Sequence, residues 1–68
     1  MSAKIHYLIV EANNKRLQIL LIDHWLNIKK NMNYELWRSL HLLIEKLQGE
    51  IRGIDEEILR IARGLDND

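Results

Sequence analysis

Between Trp37 and Leu65 the apolar residues recur every three or four positions without a break: Trp37, Leu40, Ile44, Leu47, Ile51, Ile54, Ile58, Ile61, Leu65. This is a heptad seam, with Trp37, Ile44, Ile51, Ile58 and Leu65 at a and Leu40, Leu47, Ile54 and Ile61 at d. A seam of that length predicts a helix that lies lengthwise against another helix. The chain therefore reads as all-α, and Trp37 to Ile61 as its oligomerisation seam.

The size of the chain sharpens this reading. Its 68 residues make a single small helical domain, 1–68, and below ~70–80 residues a lone core seldom suffices without disulfides, a metal or self-association. There is no cysteine, so disulfides and thiolate metal sites are excluded. Ten isoleucines and twelve leucines are more than one helical hairpin can hide, which predicts a homodimer or higher oligomer. Ten basic and ten acidic residues cancel, so there is no global attraction to nucleic acid or to anionic membrane. The longest apolar runs, Leu8–Val10 and Ile19–Ile22, are too short to span a bilayer, and the Met-Ser-Ala-Lys start does not lead into a signal-peptide core. A cytoplasmic, complete small reading frame is expected.

Proline is absent and the glycines all lie late, at 49, 53 and 64, which favours a few long helices. The clearest break is Asn31-Met32-Asn33. Asn33 suits the cap of a helix starting at Tyr34, with Glu35 in its first turn; Lys29 and Lys30 suit the last turn of a preceding helix. In that first helix Leu17, Leu21, His24 and Ile28 keep heptad spacing, and Asn14, Val10, Tyr7 and Ala3 extend the register backward. A helix from about 3 to 30 is predicted. The alternative is an N-terminal β-strand at Lys4–Val10, a turn at Asn13-Asn14 and a second strand at Arg16–Ile22, followed by helices. Gly49 and Gly53 fall at outward heptad positions and predict a continuous but softened second helix; the alternative breaks it near Gln48 and restarts it at Asp55. Gly64 is expected to end it.

Leu36, Leu42 and Leu43 widen the apolar stripe at the start of the second helix, as in a bundle with several neighbours. Farther on, the seam is flanked by Glu50, Asp55 and Glu57, which would repel one another in a parallel self-pair. Lys4, Lys15 and Arg16 can complement them from the first helix. The predicted architecture is an antiparallel hairpin of two long helices that dimerises into a four-helix bundle. In architecture this resembles the small RNA-binding bundle of colicin-type plasmid copy control, also a dimer of helical hairpins. The resemblance carries no matched motif and implies no function here.

Chemistry-bearing constellations are sparse. His24 and His41 fall at similar levels of a hairpin, near Asp23 and Glu45, but bundle metal sites repeat a Glu-x-x-His pattern that is missing here. No metal or cofactor is expected. Ser2 and Ser39 are the only serines, there is no threonine, and no nucleophile–base pairing is visible, so no enzyme is expected. Arg52, Arg60 and Arg63 form a candidate nucleic-acid face, interrupted by Glu45, Asp55 and Glu56. Among the aromatics, Trp37 reads as core, whereas Trp25 and Tyr34 near the turn are candidate partner contacts. The expected function is that of a small helical regulator that binds itself and another protein through the seam or the aromatic edge. Ile51, Ile54, Ile58 and Ile61 would anchor such a contact. Very small cysteine-free helical chains of this style are typical of phage or mobile-element accessory proteins. The alternative is a nucleic-acid-binding regulator that uses the arginine face.

Overall fold

The computed structural model describes residues 3–29 and 31–66, with side-chain environments through residue 64. Among the described residues there are two helices, α1 (Ala3–Ile28) and α2 (Tyr34–Asp66), and no strand. They pack side by side as a hairpin measuring 55 × 15 × 12 Å. The strand alternative for residues 4–22 is thus overturned. An isolated two-stranded ribbon is marginal in water, whereas a continuous helix can lay its whole length on α2.

The turn is built as the Asn31-Met32-Asn33 break suggests. Asn33 Oδ1 accepts the backbone N–H of Leu36 at 2.9 Å, and the Asn33 carbonyl accepts that of Trp37 at 3.0 Å. Together these cap α2, and Glu35 complements the positive end of its dipole. The end of α1 differs from expectation. The helix stops at Ile28, so Lys29 lies just past its last turn and Lys30 falls outside the described residues. The Lys29 N–H still donates to the Trp25 carbonyl at 3.0 Å, and its ammonium sits 5.9 Å from the Trp25 ring centroid.

Helix α2 runs through Gly49 and Gly53 without interruption and passes Gly64, where an end was expected, to reach Asp66. None of these glycines has a positive φ, so none supplies the left-handed cap that stops a helix.

The packing corrects the predicted face of α1. The residues turned toward α2 are Ile5, Leu8, Ala12, Lys15, Ile19, Ile22 and Leu26, all buried or half-buried. They keep a strict 3–4 rhythm of their own. The predicted register places Leu17 and Leu21 on the seam, yet they are 56% and 62% exposed, with Tyr7, Val10, His24 and Ile28 also exposed. Both faces of α1 carry heptad spacing, so periodicity could not choose between them. Charge decides. Lys4 pairs with Glu57 at 3.5 Å, Lys15 with Glu50 at 2.9 Å and Arg16 with Asp55 at 3.3 Å, as the complementarity of those two sets suggests. These pairs turn the charged side of α1 toward α2.

Along α2, Leu40, Ile44, Leu47, Ile51, Ile54, Ile58 and Ile61 are buried or half-buried. Only Ile5, Ala12 and Leu47 are buried among the described residues, with Ala12 the deepest at 1% exposure. A methyl side chain there lets the two backbones approach closely.

Candidate functional site

Two surfaces of the hairpin present large apolar side chains to water. The first is the turn end of the hairpin. Trp25 and Ile28 of α1, the turn residues Lys29 and Met32, and Leu36 of α2 line an open, mainly apolar groove. The capped turn holds its two walls at a fixed spacing. On the neighbouring side of α2, Tyr34 stacks on Trp37 with centroids 6.1 Å apart and planes 20° from parallel. The His41 ring lies 4.1 Å from Trp37. Spacings of three and four residues bring these rings into one exposed row.

Trp37 is therefore not the core residue that its seam position implies; it is 45% exposed. A strict heptad drifts by about 20° per repeat on a straight helix, so a seam aligned with α1 near Leu47 has rotated by roughly 30° at Trp37, almost three turns earlier. Trp25 and Tyr34 are exposed. Sequence reasoning missed the roles of Met32 and Leu36 in the groove. Leu36 carried a signal, as an apolar residue in the first turn beside the seam.

The second surface is the outward side of α1. With Ile5 to Leu26 facing α2, Tyr7, Val10, Leu17, Leu21 and Ile28 form an exposed apolar row that runs the length of the helix. Helical phase puts every Asp, Glu, Lys and Arg of α1 (Lys4, Glu11, Lys15, Arg16, Asp23) on the half turned toward α2. The outward half carries none.

The outer side of α2 is different in kind. Arg38, Glu45, Arg52, Glu56 and Arg63 recur there with alternating sign, all exposed. Arg60 Nε donates to Glu57 Oε2 at 3.2 Å, which engages one of the three candidate nucleic-acid arginines. Arg52 and Arg63 remain exposed, with Glu56 between them in phase. Alternating charges release few counterions on a polyanion.

Electrostatics across the hairpin seam favour the charged forms. The hydrogen bond from Lys15 to Glu50 lowers the carboxyl of Glu50 below its ordinary range, and the same bond raises Lys15 above its own. Glu57 is lowered first by its hydrogen bonds from Arg60, then by the charges of Arg60 and Lys4. His24 and His41 are not brought together: His41 lies against Trp37, and His24 is exposed on the outward phase of α1. Among the described residues no three His, Asp or Glu side chains cluster as a metal site would require, and no helix is long and apolar enough to cross a membrane.

Comparison with protein-family descriptions, curated proteins and solved structures returned no match for this chain.

Proposed function

We propose that this chain is a small self-associating helical protein whose turn end binds another protein. The observation that carries the reading is the groove between Trp25 and Leu36, flanked by the exposed Tyr34–Trp37–His41 row. A capped turn with no glycine in it holds large apolar and aromatic side chains in water at the end of the molecule. Such side chains are the usual anchors of protein interfaces. The groove suits an amphipathic helix that presents apolar residues at three- and four-residue spacing. Lys29 at its rim favours a partner with an acidic flank. The α2 seam lies against α1 in the hairpin, so Ile51, Ile54, Ile58 and Ile61 support the fold, and the turn end takes over the docking role.

The test is affinity capture on the immobilised chain, with Trp25→Ala/Leu36→Ala as the paired control. The expected result is a specific protein retained by the parent and lost by the double variant, with both equally helical by circular dichroism. Retention by both would remove the groove from the mechanism, and so would the absence of any specific protein.

A further inference from the structure

The hairpin explains one side of α1 and leaves the other without a purpose. Its outward row, Ala3, Tyr7, Val10, Asn14, Leu17, Leu21, His24 and Ile28, repeats the 3–4 rhythm of a helix-packing seam. All of these residues are exposed. A helix that is apolar on opposite sides, with its charges confined to the half that meets one neighbour, has the pattern of a helix with neighbours on both sides. We propose that the occupant of this face is a second copy of the chain, with the two α1 helices antiparallel at the centre of a dimer and the α2 helices outside. This deepens the self-association part of the proposed function and names the surface that performs it.

Three observations select a second copy. The first is charge. An uncharged face meets its own copy without like-charge repulsion, and the charges of α1 are placed against α2, with Lys4, Lys15 and Arg16 paired to it. The second is shape. When the row is laid antiparallel on itself, Ala3 falls opposite Ile28, Tyr7 opposite His24, Val10 opposite Leu21 and Asn14 opposite Leu17. Ala3 meets the larger Ile28, and the only amide in the row lies next to the two-fold axis. A buried asparagine in a helix seam is a known way to fix register and oligomer number. The third is area. The chain exposes 5554 Å², whereas a compact monomer of 8.1 kDa would expose about 4,500 Å². The excess, on the order of 1,000 Å², is close to the ~800 Å² per partner that a stable interface covers.

The test combines oligomeric mass with distances. Sedimentation over a concentration series should show a dimer for the parent chain. Leu17→Asp should weaken it by a factor on the order of 100 or more, since each dimer carries the substitution twice beside the axis. Because Leu17 is already exposed in the hairpin, the variant monomer should keep its helicity. Leu42→Asp, on the outer side of α2, should leave the dimer intact. Spin labels at the exposed positions Gln18 and Asn27 then report direction. At about 1.5 Å per residue, antiparallel pairing separates the two Asn27 labels by roughly 35 Å along the axis and the two Gln18 labels by roughly 8 Å.

A helical monomer at every concentration would overturn both self-association and this surface. A dimer indifferent to Leu17→Asp would leave self-association standing and overturn the surface. So would a parallel dimer, with similar distances at both labels. A monomer whose α1 row is covered only when a different protein binds would assign the face to that partner and likewise overturn the proposal.

Discussion

Helices α1 and α2 are made of similar residues and distribute them in opposite ways. In α2 the side chains from Leu40 to Ile61 that pack on α1 form one stripe, and the outer side, where Leu42 and Leu59 are also exposed, alternates Arg38, Glu45, Arg52, Glu56 and Arg63. That is the pattern of a helix with one packed side and one wet side. In α1 the apolar residues occupy opposite sides, and the charges gather along the zone that meets α2. The difference teaches that amphipathicity records how many sides of a helix are apolar. Within the hairpin α2 packs its one seam against α1, whereas α1 packs one apolar side and leaves the other in water.

The sharpest test of that contrast lies within α2 itself. Leu47→Ala removes a buried seam side chain and should cost about 2–5 kcal/mol, enough to melt most hairpins of this size. Leu42→Ala, five positions earlier but 53% exposed, should stay within about 0.5 kcal/mol of the parent. Urea titration followed by circular dichroism compares the two, and equal effects would contradict a one-sided α2.

A smaller effect of opposite sign is expected at the glycines. A Cβ at Gly49 or Gly53 would meet nothing within 4 Å, and both residues are helical. Each change to alanine should therefore stabilise by about 1 kcal/mol, read as a higher midpoint on thermal melting. A lower midpoint would mean that α2 bends there to serve its packing. Asn33→Ala should lose about 1 kcal/mol through the cap, and Asn33→Ser should restore most of it.

The smallest effect is that of pH, and it reports the charged zone between the helices. Glu50 and Glu57 are held below their ordinary value of 4.5, so their contribution is present above that value and is lost as pH falls through their folded values. Lys15 is raised above 10.5, so its contribution is present below 10.5 and is lost as pH rises through its folded value. Stability should be level between about pH 5 and 10 and decline on both sides, and Glu50→Gln should flatten the acid limb. An unchanged acid limb in that variant would place its origin outside the Lys15–Glu50 pair. These pairs are partly solvated, so the decline should be shallow.

The turn end shows how far local pattern carries. Asn33 before an apolar-periodic run, Glu35 after it and Trp25 and Tyr34 beside the break were legible as a cap and an exposed aromatic edge, because caps and turns are local chemistry. The exposure of Trp37 was not legible from its heptad letter, because the drift between a 3.5-residue repeat and a 3.6-residue helix accumulates only along a real helix. The groove under Trp25 was also invisible, since it exists only once Leu36 is folded back against the end of α1.

From the sequence alone came the helical class, the break at residues 31–33, the α2 seam and the two charge sets that bind the hairpin. All of these rest on spacing within one helix or on the sign of charges. Only the tertiary structure decided which side of α1 meets α2. Apolar residues recur at heptad spacing on both sides of that helix, so burial alone is nearly degenerate between them. The face that packs is the one that brings Lys4, Lys15 and Arg16 against Glu57, Glu50 and Asp55, pairings that exist only with both helices in place.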